Sequence, residues 1–266
     1  MNNKEIIKNS ILFPIRNYKQ FIIIVALFLF AELIQEHLLH QTYQDATIIP
    51  ASFILIILPL LVLGINLQII FHIIGKNKGL PKISFKKSLK EATHDMLLES
   101  YYFILTILIT ILVAIPAGVF DNLPGISTQL YHLMMEIEEM NVVELIGALP
   151  DLLILDYSHN ILIFLLIFLI SLTVMFSMCT LGKIDMEENH KFIQAFNIKY
   201  ILSLIKKIGI LRYLGFLALV ILMCVIVANI VFILNVSPIF GSFFSAFLEA
   251  FSLVFFLSSF AQLYPK

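Results

Sequence analysis

Residues 161–181 read ILIFLLIFLISLTVMFSMCTL, 21 positions without a charged side chain, closed by Gly182 and Lys183. A helix of about 20 such residues is about 30 Å long, the thickness of a bilayer's hydrocarbon core. No water is present there to satisfy a peptide group, so only a segment that bonds its own backbone can cross. Upstream of Lys183 the nearest cation is Lys90, so positions 91–182 hold neither Lys nor Arg. All 17 Lys and Arg residues fall into four blocks: Lys4 to Lys19, Lys76 to Lys90, Lys183 to Arg212, and Lys266. Cationic loops stay on the cytoplasmic side because translocating them is unfavourable. The alternation of apolar runs and cationic blocks therefore reads as a membrane topology.

Five other apolar stretches match the length needed for a span. Together the expected spans are approximately 18–40, 48–74, 97–119, 161–181, 213–234 and 239–263. Six crossings return the chain to its starting side, so both termini and the 75–96 and 182–212 segments are expected in the cytoplasm. The expected fold class is all-α: a polytopic helical membrane protein forming one integral membrane domain over 1–266, in the cell membrane. Composition agrees. Hydrophobic residues make up 60% of the chain and charged residues 13%, against about 45–50% and 25% in soluble domains. A net charge of −1 supplies no field for nucleic acid. Cys179 and Cys224 both lie in apolar stretches and offer neither a disulfide framework nor a metal clip. The basic start and the apolar run from Phe21 imitate a signal peptide, but no small-residue cleavage site follows, so the run is read as a retained first span.

Two cytoplasmic segments carry amphipathic patterns. After the Gly75–Gly79 turn, Ser84 is placed to cap a helix with Phe85, Leu89, Ala92 and Met96 on one face and Lys86, Lys87 and Lys90 off it. Asp185-Met-Glu-Glu188 reads as a variant capping box. Asn197 then caps a turn in which Ile198, Ile201, Leu202, Ile205 and Ile208 share a face, Lys199, Lys206 and Lys207 stand off it, and Gly209 ends it. Helices of this kind lie in the headgroup plane. Lys86, Lys87, Lys90, Lys199, Lys206 and Lys207 are thus the expected contacts to anionic lipid headgroups. Each segment lies between an entering and a leaving span with Tyr near the start of the exit (Tyr101 and Tyr102; Tyr213), which suggests a parallel internal repeat. The outer insertion, 120–160, is acidic and free of Lys and Arg. Ser127, Asn141-Val-Val-Glu144 and the spacing of Leu130, Leu133, Met134 and Ile137 predict two short helices there, between Pro124 and Pro150.

Glu249 is the one acid near the middle of an expected span, with Ser242, Ser245 and Ser252 on the same helical face. A bare carboxylate there is unfavourable, and intramembrane acids commonly mark proton or cation sites. The plainer reading is a neutral carboxyl hydrogen-bonded to those serines or to Asn229. Glu32, Glu36 and His40 recur every four residues with His37 beside them, a pattern more typical of a polar helix end than of a metal site; no metal site is assigned. Asn66, Gln68 and His72 are expected to hydrogen-bond between helices. There is no GxSxG, HExxH or Walker loop, His94-Asp95 lacks a partner motif, and neither catalysis nor a cofactor is expected. The sequence identifies no protein partner.

From Gly64 onward the chain resembles an archaeal membrane family, domain of unknown function 4013. The residues that carry the likeness are Gly64, Leu80-Pro81, Phe85 and the Leu89 helix, then Phe192-Ile-Gln-Ala195-Phe196, Ile208-Gly209, Tyr213 and Leu263-Tyr264. Ile65, Gln68, Phe71 and Lys82-Ile83 depart from the family pattern, and the outer insertion is peculiar to this chain. The resemblance implies the span–amphipathic helix–span architecture and no activity. Two roles fit these readings. One is a non-catalytic membrane protein that organises lipid or partners; the other is a secondary transporter or channel using Glu249.

Overall fold

A computed structural model describes residues 2–42, 48–75, 80–121, 151–234 and 241–265, with the side chains of 35–42, 48–56, 151–157, 224, 227–228, 230–234 and 241–242 left aside. The chain is all-helical, 88% helix, with no strand among these residues. The helices are α1 (Asn3–Ile11), α2 (Phe13–Arg16), α3 (Tyr18–Thr42), α4 (Ile48–Ile74), α5 (Phe85–Ala114), α6 (Asp151–Asn189), α7 (Ile198–Ile208), α8 (Ile210–Leu234) and α9 (Gly241–Leu263), with a 3-10 turn at Phe192–Phe196 before α7.

Among the described residues, four helical stretches are long and apolar enough to cross a membrane: Ile57–Ile74, Phe85–Ala114, Ser158–Asn189 and Phe243–Leu263. The other two expected spans are also helices, α3 and α8, parts of whose side chains lie outside the described set. Helix α4 runs unbroken through Pro59. Many large apolar side chains face outward, Leu112 at 68% exposure and Leu162 at 66% among them. An aqueous surface that apolar would aggregate, whereas lipid tails solvate it at no penalty.

Backbone packing divides the chain into one unit of residues 1–99 and 177–266 and another of 100–176. In the smaller unit Phe120 sets its ring edge against Phe164, with centroids 6.0 Å apart. The hydroxyls of Thr106 and Thr110 donate to the Tyr102 and Thr106 carbonyls of their own helix, as threonines do where no water competes.

In the larger unit, segments from the separate cationic blocks meet. Asn3 Nδ2 donates to the Arg212 carbonyl at 2.8 Å, joining the N-terminal segment to the start of α8. Gln262 Nε2 donates to Ser10 Oγ at 3.0 Å, joining it to the end of α9. Lys183, late in α6, reaches Asp95 in α5 at 2.7 Å. The N-terminal helix α1 was not foreseen. Its Glu5 carboxylate accepts from the Asn2 backbone N–H, and Ile6, Ile7 and Ser10 turn inward, with α1 packed on α8 and α9.

Several local expectations need correction. The first amphipathic segment is not a separate helix: Phe85 to Ala114 is continuous, because Met96-Leu97 offers nothing to break it. The second is separate, because Gly209 (φ 96°) ends α7 before α8 begins. Asp185 starts no helix; it lies within α6, which continues to Asn189. The last ten residues of the expected outer insertion, 151–160, belong to α6. The 76–79 part of the turn and the predicted helices at 127–144 lie outside the described residues.

Two glycines lie where a following segment comes close. An ideal Cβ on Gly64 of α4 would sit 2.0 Å from the Ser88 carbonyl oxygen, and one on Gly182 of α6 would sit 3.3 Å from Ala195. At both sites a glycine of the preceding helix lets the following segment press against it. The Gly64 contact is against backbone, which cannot rotate away. Gly64→Ala is expected to destabilise the chain by about 1–3 kcal/mol, the usual overpacking range. The contact at Gly215 is an ordinary 3.5 Å, so Gly215→Ala should stay within about 0.5 kcal/mol. Thermal melting of the two variants in detergent checks the contrast.

Candidate functional site

The polar chemistry of the described residues concentrates where α4, α6 and α9 end, beside the first half of α5 and the start of α7. Lys183 is its centre. Its ammonium lies 2.7 Å from Asp95 Oδ1 and 2.6 Å from Glu99 Oε1, and the Lys183 and Asp95 side chains are 6% and 3% exposed. Glu99 is half exposed. An ammonium removed from water needs such partners. Helical geometry supplies them: Asp95 and Glu99 are one turn apart on α5 and so project side by side.

Two residues further along α6, the fully buried Asp185 gathers three donors on one oxygen. Its Oδ1 accepts from Tyr264 Oη at 2.6 Å, Asn189 Nδ2 at 2.7 Å and Tyr200 Oη at 2.8 Å. This carboxylate therefore ties α6 to α7 and to the end of the chain. Burial, reinforced by the Asp185 carboxylate, holds both phenols above the usual tyrosine range, so both remain donors at neutral pH. Asn197 Oδ1 caps α7 by accepting from the Tyr200 N–H, as expected. Ser177 and Tyr213 share a buried hydrogen bond between α6 and α8.

Beside these anchors a cleft of about 430 Å³ opens between α4, α5 and the end of α6, lined by Gln68, His72, Lys87, Glu91, Glu187 and Glu188 among others. A smaller cavity of about 290 Å³ shares Lys87, Glu91, Glu187 and His190 and adds Lys90 and His94. There the His94 ring stacks on Phe192, with centroids 4.0 Å apart. On the outer side of α5 a shallow groove runs along Phe85, Lys86, Leu89, Lys90, Thr93 and His94.

The expected headgroup lysines separate into distinct surroundings. Lys86 and Lys90 border the groove, while Lys87 turns to the cleft and pairs with Glu91 at 3.4 Å. Lys199, Lys206 and Lys207 are exposed on α7. The apolar face of α7 is not offered to lipid: Ile201, Leu204, Ile205 and Ile208 are buried inside the chain. On α5 the buried face is Ser88, Ala92 and Asp95; the expected apolar face is split, with Ala92 buried, Leu89 half-buried, and Phe85 and Met96 exposed. Gln68 does hydrogen-bond between helices, donating to Ser88 Oγ.

Glu249 lies on the exposed side of α9, whose buried side carries Ala246, Ala250 and Val254. Ser245 and Ser252 are half-buried, and the Ser242 side chain is outside the described set. Asn229 donates to the Val225 carbonyl of its own helix. Glu32 lies on α3, which packs against α9, and is an electrostatic neighbour of Glu249. Sequence spacing had grouped Glu32 with Glu36 and His40 instead; the side chains of Glu36, His37 and His40 are outside the described set. Among the described residues no group of three or more His, Cys, Asp or Glu is arranged to hold a metal ion.

The sequence reading overlooked the Lys183 cluster because it treated Lys183 only as a topology marker. Removing one partner of a buried pair strands the other charge, at about 3–5 kcal/mol. Lys183→Met is therefore expected to lower the melting temperature sharply. The double variant Lys183→Met/Asp95→Leu, which strands no charge at Asp95, should recover much of the loss. Thermal melting of the two variants beside the parent checks this.

No functionally curated protein and no solved structure matches the chain. Residues 48–236, which include the helices that build the Lys183 cluster and the cleft, match the family described as Protein of unknown function (DUF4013). The match spans well over half of the sequence, and the chain belongs to that family.

Proposed function

We propose that this chain is a six-span protein of the cell membrane, with both ends and the two basic segments in the cytoplasm. In this reading it is non-catalytic and holds anionic lipid headgroups, organising lipid or partner proteins at that leaflet. The observation that carries the reading is the pairing of exposed cations with exposed apolar side chains at the junction of the helices. Phe85, Met96 and Leu97 stand outward with Lys86 and Lys90 on α5; Ile193 at 82% and Leu211 at 87% exposure stand outward on the segments flanking α7, whose Lys199, Lys206 and Lys207 are exposed too. Such a surface suits neither bulk water nor hydrocarbon. It suits the interface, where apolar side chains enter the acyl boundary and ammonium groups meet phosphate. The contacts joining the N-terminal segment, Arg212, Lys183 and the α9 end support placing these segments on one side.

A second reading, a secondary transporter or channel using Glu249, draws support from Glu32, which gives Glu249 a neighbouring acid across the packed helices α3 and α9. The outward position of Glu249 on α9 weighs toward the first reading.

Each lysine near an anionic surface contributes about 1 kcal/mol. Replacing Lys86, Lys90, Lys199, Lys206 and Lys207 by Gln is expected to abolish the preference of the purified chain for phosphatidylglycerol over phosphatidylcholine. Counting bound lipids by native mass spectrometry checks it. An unchanged preference would contradict the lipid reading, and Glu249→Gln should leave the preference intact.

A further inference from the structure

The 430 Å³ cleft has a chemistry that the lipid-facing lysines do not explain. Among the described residues, its charged groups are three carboxylates, Glu91, Glu187 and Glu188, and one ammonium, Lys87; His72 and His190 are imidazoles in the same lining. Ser88 lies at its edge and fixes the orientation of Gln68. The Ser88 hydroxyl donates to the Ser84 carbonyl at 3.1 Å, so its oxygen can only accept from Gln68. The Gln68 amide therefore presents its NH2 to Ser88 and leaves Oε1 as the spare atom. Gln68 is 4% exposed, and this oxygen is buried without a partner. Glu91 repeats the situation: Oε1 pairs with Lys87, while Oε2 is buried without a partner. Buried polar atoms are nearly always satisfied in folded proteins; together with His72 Nε2, also buried without a partner, these atoms of α4 and α5 point to groups supplied from elsewhere.

We propose that the cleft binds the primary ammonium group of an organic amine. A –NH3+ group carries three donors and one positive charge. Gln68 Oε1 and Glu91 Oε2 take two of the donors, and Glu187 or Glu188 takes the third. Phe71, Ile74, Pro81 and Ile184, which also line the cleft, accommodate a short carbon chain, and the volume lies within the usual range for small-molecule sites. An anion would face three carboxylates. The described residues hold no arrangement suited to a metal ion. The shared ligand chemistry could come from a free di- or polyamine or from the ethanolamine headgroup of a phospholipid. The inference stands apart from the lysine–phosphate reading, because it uses carboxylates and a cleft rather than the exposed lysines.

The test uses the full chain in a non-ionic detergent. Isothermal titration with 1,4-diaminobutane and with spermidine measures the free-amine arm. Native mass spectrometry with phosphatidylethanolamine against phosphatidylglycerol measures the headgroup arm. At least one arm should show saturable binding. Tetramethylammonium, which has the charge but no N–H, should bind about tenfold more weakly or not at all. Glu91→Gln and Gln68→Leu should each weaken binding about tenfold. Should either variant fail to fold, Glu187→Gln and Glu188→Gln at the more open mouth carry the same test, together weakening binding severalfold. Binding in the first arm alone assigns a free amine, and in the second alone a lipid headgroup. The proposal is overturned if the parent chain binds in neither arm, if tetramethylammonium binds equally well, or if the variants bind as tightly as the parent.

Discussion

A lysine or arginine side chain is among the groups that hydrocarbon solvates worst, and the arrangement of this chain follows from keeping all 17 of them in four blocks set between its long apolar stretches. Their confinement to four blocks sets where each apolar run begins and stops. The folded chain then brings parts of those blocks together, through Asn3 to Arg212, Ser10 to Gln262, and Lys183 to Asp95 and Glu99. Cations crowded at one junction require acids among them. That requirement accounts for Asp95 and Glu99, the two acids that hold Lys183.

The same junction links stability to possible recognition. Lys183 and Asp185, two residues apart on α6, anchor α5 on one side and α7 with the chain end on the other. Between these anchors the close approach at Gly64 holds Ser88 against α4, and Ser88 in turn orients Gln68 toward its spare acceptor. The polar cleft thus rests on a rigid seam of glycine contact, ion pair and carboxylate hub. Sites supported in this way keep their geometry better than sites on loops.

The helices were legible in the sequence because hydrocarbon leaves the backbone one choice. The stretches 18–40, 48–74, 213–234 and 239–263 all appear as helices within a few residues of their expected ends. Boundaries failed where polar and apolar helix share one rod: Phe85–Ala114 and Asp151–Asn189 each join a polar segment to an apolar one, and composition changes there while the helix does not. Asp185 was misread as a cap because the local pattern Asp-Met-Glu-Glu fits a helix start equally well. The amphipathic faces were visible, but not which neighbour covers them: α7 spends its isoleucines on the chain's own core, whereas α5 leaves Phe85 and Met96 outside. The pairings Lys183–Asp95 and Glu32 near Glu249 span separations of 88 and 217 residues. One sequence carries no signal for contacts of that kind beyond the charges themselves. His190, a non-glycine residue at φ 57°, was likewise invisible until the end of α6 was located.

The account depends on the cationic blocks sharing the cytoplasmic side. Single cysteines at Asn141→Cys and Lys191→Cys, probed with a membrane-impermeant maleimide in cells expressing the chain, test it directly against the background of Cys179 and Cys224. The account predicts that position 141 is labelled in intact cells and position 191 only after permeabilisation. Labelling of 191 in intact cells, with 141 protected until lysis, would contradict it.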